Sequence, residues 1–218
     1  MNLIELIVWD FDGVINNAVQ DGEFIWGKKF EQDWGYSLKE FESFVFSGDF
    51  NDVLIGKTSL TSLVENWAKN VSFEGSVPDI LKYWHQNDTS YVSEILEIIE
   101  TVNRLGIRQV VATNTDIERT KFIKHHLHEL RGVNEIYSSG LLKVAKPESA
   151  FFEILQRLEK KNPSEILFID DSEKNIMGAR NVGWNAIIFK PDSAQFIKDI
   201  LLKNTLNHGG ILISENNQ

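Results

Sequence analysis

The chain has 218 residues, of which 42% are hydrophobic and 25% are charged, and this balance excludes a disordered, collagen-like or membrane-embedded protein. Its net charge of −10 repels the phosphate backbone of nucleic acids, so no nucleic-acid partner is expected. The absence of cysteine excludes disulfides, thiolate metal sites and a cysteine nucleophile.

The start of the chain shows no targeting or membrane signal. Glu5 lies where a signal peptide would carry basic residues, and no uncharged apolar run reaches the roughly 18 residues that span a bilayer. We therefore expect a cytoplasmic protein without a membrane partner. The sequence carries no signal for an oligomeric state.

The first predicted strand is the apolar run from Leu6 to Trp9, which ends at polar residues as a buried parallel strand does. From Tyr91 onward, helical and extended patterns alternate. In chain order these are a helix at 95–105, a strand at 109–112, a helix with Phe122, Ile123, Leu127 and Leu130, a strand at 135–137, a helix from Pro147, a strand at 166–169, a helix ended by Gly183, and a strand at 186–189. This alternation predicts an α/β fold with a doubly wound parallel sheet.

Residues 16–90 interrupt the alternation and are rich in aromatic and charged residues. Two apolar stripes in this segment have helical spacing, Phe41, Phe44, Val45 and Leu60, Leu63, Val64, Trp67. We therefore predict a core domain of residues 1–15 and 91–218 and an inserted helical cap of residues 16–90.

Polar residues stand at the carboxyl ends of the predicted strands, where open parallel sheets bind ligands. Clustered carboxylates repel one another unless a hard cation neutralises them, and oxygen ligands suit Mg²⁺. A hydroxyl, backbone N–H groups and an ammonium group could hold phosphoryl oxygens beside such a cation. This pattern indicates magnesium-dependent phosphoryl transfer. The residues are Asp10, Asp12, Thr113, Asn114, Lys146, Asp170 and Asp171.

Four segments around these residues resemble the ordered motifs of the haloacid dehalogenase-like superfamily. The resemblance covers residues 6–11 and most of residues 95–189, whereas the insert matches only by position and helical character. Within the superfamily the chain is most similar to small sugar-phosphate phosphatases with a helical cap. The resemblance implies a phosphatase whose partner is a small phosphorylated metabolite. The segments are Asp10-Phe11-Asp12-Gly13-Val14, Val111-Ala112-Thr113-Asn114, Lys146-Pro147, and Asp170-Asp171 with Asn175.

The resemblance implies a role for each motif residue. Asp10 would attack phosphorus to form an aspartyl phosphate, and Asp12 would protonate the leaving oxygen and then activate water. Thr113 and the Asn114 backbone would bind the phosphoryl group, and Lys146 would bridge that group and the nucleophile. The Mg²⁺ ligands would be the side chains of Asp10, Asp170 and Asp171 and the carbonyl of Asp12, directly or through water.

Other functions stay open on sequence alone. A phosphomutase shares every motif and returns the phosphoryl group to its substrate, and a non-catalytic binding protein would retain the fold. A dehalogenase is disfavoured, because superfamily members that displace halide generally lack an acid at the position of Asp12. His125 and His128 share a predicted helical face and could bind a metal, although a solvated role is commoner for such residues.

Overall fold

The computed structural model describes residues 3–126, 128, 130–208 and 211–212. Its strands are β1 (Leu3–Ile4), β2 (Leu6–Trp9), β3 (Val19–Gln20), β4 (Glu23–Phe24), β5 (Arg108–Thr113), β6 (Glu135–Ser138), β7 (Ile166–Asp170), β8 (Asn185–Ile188) and β9 (Ile211–Leu212). Five parallel strands form one sheet, in which β2 is central and the spatial order is β6-β5-β2-β7-β8. β1 pairs antiparallel with β9, and β3 pairs antiparallel with β4. The predicted parallel α/β fold is confirmed.

Helices connect the parallel strands and also fill the insert. They are α1 (Phe30–Trp34), α2 (Leu38–Phe46), α3 (Phe50–Leu54), α4 (Leu60–Asn70), α5 (Val77–Asn87), α6 (Ser93–Arg104), α7 (Ile117–His125), α8 (Ser139–Leu142), α9 (Ser149–Glu159), α10 (Glu173–Asn181) and α11 (Ala194–His208). Within the described ranges, none of them combines the length and the apolar surface needed to cross a bilayer.

Two predicted helices have different limits in the structure. α7 ends at His125, so Leu130 lies beyond it, while Leu127 lies outside the described residues. The spacing of apolar residues suggested a longer helix, because Leu130 is apolar and lies in the core. An apolar residue in a buried turn after a helix gives the same sequence signal as one inside the helix. The helix predicted from Pro147 begins at Ser149, because Glu148 has an extended backbone and occupies the N-cap.

The central strand β2 is buried on both faces, which explains its uninterrupted apolar sequence. Ile7 and Trp9 pack into the cluster on one side of the sheet, and Leu6 and Val8 pack into the cluster on the other. A one-residue shift of the strand's register would move each of these side chains to the opposite face and draw the charged Asp10 toward the core. The residue that follows it, Asp10, therefore has a fixed position.

Residues 16–90 contain α1–α5 and also the β3–β4 hairpin, which the sequence did not predict. The buried side chains of the insert form a cluster separate from the two clusters that cover the sheet. Trp26 and Trp67, for example, are almost completely buried in it. The helical character of the insert agrees with the prediction, and the domain limits at residues 15 and 90 stay a prediction.

Asn16 ties the two ends of the insert together. It is fully buried, its Nδ2 donates to the Asp88 carbonyl at 2.9 Å, and its Oδ1 accepts from the Ser90 N–H at 2.7 Å. The same Nδ2 donates to Asp12 Oδ1 at 3.0 Å. The insert is therefore hydrogen-bonded to a predicted site residue at the point where it joins the sheet.

Candidate active site

The structure brings the predicted residues together at the carboxyl edge of the sheet. Trp9 of β2 lies beside Val111 of β5 and Ile169 of β7. The Asp10 N–H donates to the Ile169 carbonyl at 2.8 Å, so Asp10 and Asp170 follow paired positions on neighbouring strands. Parallel register thus delivers residues more than a hundred positions apart to one site.

Lys146 lies between two of these carboxylates. Its Nζ is 2.8 Å from Asp10 Oδ1 and 2.6 Å from Asp170 Oδ2, and its side chain is 1% exposed. Burial alone would lower the pKa of Lys146, but Asp10 and Asp170 outweigh it and raise the pKa above its ordinary value. Asn175, the last residue of the fourth motif, donates to both oxygens of Asp170 at 3.0 Å. Lys146 is therefore a fixed, buried cation.

Asn114 holds the Lys146 segment against the end of β5. Its Nδ2 donates to the Lys146 carbonyl at 2.8 Å, and its Oδ1 accepts from the Lys146 N–H at 2.9 Å. The preceding residue, Thr113, ends β5 and is almost completely buried. The Asn114 side chain is therefore already hydrogen-bonded to the Lys146 backbone. The resemblance assigns phosphoryl binding to the Asn114 backbone, which this pairing does not use.

Three carboxylates form a cluster with the geometry of a metal site. One oxygen each from Asp10, Asp170 and Asp171 lies within 4.8 Å of the others, and no other group of three metal-ligating side chains occurs in the described part of the chain. Burial raises the pKa of Asp10 well above its ordinary value, and the nearby Lys146 offsets this only in part. Burial and the charge of Asp170 also raise the pKa of Asp171. A cation would stabilise the ionised forms of both.

Arg119, on α7, forms an ion pair with the carboxylate of Asp12. Its Nη1 lies 2.5 Å from Asp12 Oδ2, and its Nη2 lies 2.7 Å from Oδ1, a bidentate pair. Burial favours the neutral acid, but Arg119 outweighs it and holds the pKa of Asp12 below its ordinary value. The Asp12 side chain is therefore not part of the metal-type cluster; its carbonyl, which the resemblance assigns to Mg²⁺, stays a predicted ligand.

A family model of haloacid dehalogenase-like hydrolases matches residues 4–183. The chain belongs to this family. A solved HAD family enzyme from Bacteroides thetaiotaomicron matches with a TM-score of 0.72 and 20% identity over 89% of this chain and 99% of that one. Its structure in complex with magnesium and inorganic phosphate matches with a TM-score of 0.70 and 20% identity over 87% of this chain and 96% of that one. L-2-haloacid dehalogenase from Xanthobacter autotrophicus matches with a TM-score of 0.61 and 11% identity over 99% of this chain and 92% of that one. These likenesses show the shared fold.

In this haloacid dehalogenase-like hydrolase, two site residues were missed from sequence. Arg119 Nη2 lies 2.8 Å from Oδ2 of Asp88, so one guanidinium joins the core, the insert and Asp12. Asp88 had no recognisable signal, because it follows α5 in the insert without a motif around it. Arg119 had a weak one: it lies three residues after Asp116, the N-cap of α7, just beyond the Thr113 motif.

Asp88 predicts a stability that falls as pH rises. Burial, with the charge of Asp12, raises its pKa from 3.8 to about 7 despite Arg119, so the folded protein retains a proton that the unfolded chain releases. The contribution of Asp88 to the free energy of unfolding should therefore decrease as pH rises from 3.8 to about 7. Relative to wild type, we expect the free energy of unfolding of Asp88→Asn to increase by about 1–2 kcal/mol from pH 5 to pH 7.

Urea denaturation of both proteins at these two pH values measures the difference. Burial lowers the pKa of His85 to about 4, an effect of opposite sign, but it is present in both proteins. A stability difference that is the same at both pH values would contradict the account of Asp88.

Proposed function

We propose that this hydrolase is a Mg²⁺-dependent phosphatase that cleaves a small phosphate monoester through an aspartyl phosphate on Asp10. The buried ion pair between Asp10 and Lys146, beside Asp170 and Asp171, carries the proposal. A carboxylate nucleophile needs a neighbouring cation to stay ionised when buried, and a dianionic phosphoryl group needs positive charge to approach carboxylates. Lys146 supplies charge for both purposes.

The carboxylate cluster fits Mg²⁺ as the cofactor. The three carboxylates and the single ammonium group of Lys146 leave two negative charges, which one divalent cation would balance. Asp10, Asp170 and Asp171 would hold the ion, together with the Asp12 carbonyl. Bound there, Mg²⁺ would offset the charge of the phosphoryl oxygens. The related enzyme crystallised with magnesium and inorganic phosphate supports this assignment.

Chain residues would carry the chemical steps. Asp10 attacks phosphorus, and Thr113 with the Asn114 backbone holds the transferring group while Lys146 contacts it. Asp12 donates a proton to the leaving oxygen and then takes one from the water that cleaves the aspartyl phosphate. The ionised state that Arg119 favours suits the second step. The first step requires Asp12 to leave Arg119 and take up a proton.

A matched pair of glycine variants tests the placement of Asp171. Gly13 has φ +84°, and a Cβ there would lie 2.2 Å from Asp171 Oδ2, whereas Gly22 has φ +83° and nothing within 4 Å. Both alanine variants should lose roughly 1–2 kcal/mol from the left-handed backbone. Gly13→Ala should also raise the Mg²⁺ concentration for half-maximal activity about tenfold, because Asp171 is displaced. Equal Mg²⁺ dependence in both variants would contradict the site.

Phosphate release from a broad panel of phosphorylated metabolites tests the proposed function itself. We expect release that needs Mg²⁺ and stops with a chelator, and isotope from labelled water should appear in the released phosphate. Label absent from phosphate, with the phosphoryl group returned to an organic product, would favour a phosphomutase. Inactivity across the panel, together with a tightly bound protein partner, would favour the binding-protein alternative. The cytoplasmic location stays a prediction.

A further inference from the structure

A cavity of about 190 Å³ lies between the insert and the carboxyl edge of the sheet. Asp12 and Arg119 stand in its wall on the side of the sheet. The insert contributes mainly apolar side chains, including Phe46, Phe50 and Leu60. The cavity is therefore polar at the end nearest Asp12 and apolar over much of the rest.

Asp12 separates this cavity from the carboxylate cluster. A second cavity, of about 360 Å³, is lined by Asp12 and by Asp171 of the cluster, whereas Asp171 is not in the wall of the first. In the proposed function Asp12 acts on the ester oxygen, which joins the phosphoryl group to the alcohol. A substrate with its phosphoryl group at the cluster would therefore place its alcohol beyond Asp12, in the 190 Å³ cavity.

Two polar residues of this cavity carry buried atoms without a hydrogen-bond partner among the described residues. They are Nε2 of His85 and Oδ1 of Asp88, on residues that are 7% and 6% exposed. The other oxygen of Asp88 is already paired with Arg119 at 2.8 Å. Unpaired buried polar atoms are unfavourable, so a ligand group that reaches these two atoms would supply hydrogen bonds that the free protein lacks.

We propose that the leaving group of the substrate is a small, mostly apolar alcohol with one further hydroxyl that binds Asp88 and His85. This inference rests on the proposed phosphatase function and narrows its substrate. A hydroxyl suits both residues. With Asp88 ionised it donates to Oδ1 and accepts from Nε2–H of His85, and with Asp88 protonated the two directions reverse. The volume is slightly above that of an apolar cavity of about 150 Å³ that holds benzene.

The apolar wall disfavours polyhydroxylated sugars, the class that the resemblance implied. Hydroxyl groups distributed around a sugar ring would lie against Phe46, Phe50 and Leu60, where they would lose hydrogen bonds to water without replacement. An alkyl chain of similar length gains from the same surface. The apolar wall therefore selects against alcohols with many hydroxyl groups, and the two unpaired polar atoms select for an alcohol with one further hydroxyl.

Wild-type kcat/KM for three esters tests the substrate class. We expect 5-hydroxypentyl phosphate to exceed pentyl phosphate about tenfold and glucose 6-phosphate about 100-fold. Glucose 6-phosphate turned over as well as the pentyl esters would overturn this inference and leave the phosphatase function intact. If none of them, nor para-nitrophenyl phosphate, releases phosphate with Mg²⁺, both the function and the inference fail.

Variants of the two polar residues test their roles. His85→Phe keeps a planar ring and removes the polar atom, so the kcat/KM ratio of 5-hydroxypentyl to pentyl phosphate should fall about tenfold. The same change at the exposed His125, outside the cavity, should leave the ratio at the wild-type value. Asp88→Leu, which is close in size and removes both side-chain oxygens, should lower the ratio as well. An unchanged ratio in both cavity variants would overturn the assignment.

Discussion

Replacing Asp10 with Asn is expected to reduce phosphate release at least about 1,000-fold, because the amide cannot form the acyl phosphate. The fold should survive the change. Burial already disfavours the charged form of Asp10, and Lys146 keeps its second partner, Asp170, at 2.6 Å. Steady-state phosphate release with saturating Mg²⁺ measures the effect.

Asp21→Asn is the matched control for this variant. Asp21 is exposed and has φ 55°, a left-handed conformation that Asn also tolerates, so the control should keep wild-type activity. Thermal unfolding of both variants would show whether a loss of activity comes from a loss of structure. Wild-type turnover by Asp10→Asn would rule out Asp10 as the nucleophile.

Replacing Lys146 with Met is expected to have the largest effect on stability. The ammonium group is the cation that contacts both Asp10 and Asp170, and its removal leaves two buried carboxylates without compensation. Breaking a buried pair in this way costs about 3–5 kcal/mol. The loss should be smaller at pH 5 than at pH 8, because burial raises the pKa of Asp10 and its protonation relieves the repulsion. Mg²⁺ should restore part of the lost stability.

Lys161→Met provides the comparison for Lys146. Lys161 pairs with Glu5, and both side chains are partly exposed, so this substitution should cost only about 0.2–1 kcal/mol. Urea denaturation with and without Mg²⁺ measures both variants. Equal, Mg²⁺-independent losses would show that Lys146 does not serve the carboxylate cluster.

The sheet could be predicted because its inner strands β2, β5 and β7 are largely buried on both faces and so carry uninterrupted apolar runs. Such runs identify β2, β5, β7 and β8 without knowledge of the rest of the chain. Helix ends were less predictable, since Leu130 is buried outside α7 as deeply as a residue inside it. The β3–β4 hairpin has two residues in each strand, too few for a periodic pattern.

The site was predictable where it depends on strand ends, and not where it depends on tertiary contacts. Asp10, Lys146 and Asp170 follow or precede recognisable elements, and the structure places them in direct contact. Arg119 is 107 residues from Asp12, and no local pattern relates the two. Asp88 belongs to the insert, and its contact with Arg119 depends on how the insert packs against the sheet. No local sequence pattern specifies that packing.

The most direct test of the central claim is to reduce the acid-quenched enzyme with borohydride during turnover and to identify the modified residue by mass spectrometry. Borohydride converts an aspartyl phosphate into homoserine. We predict homoserine at position 10 in wild type with substrate and Mg²⁺, and none at Asp12 or Asp170. Continued turnover without homoserine, or homoserine at another aspartate, would contradict the assignment of Asp10 as the nucleophile.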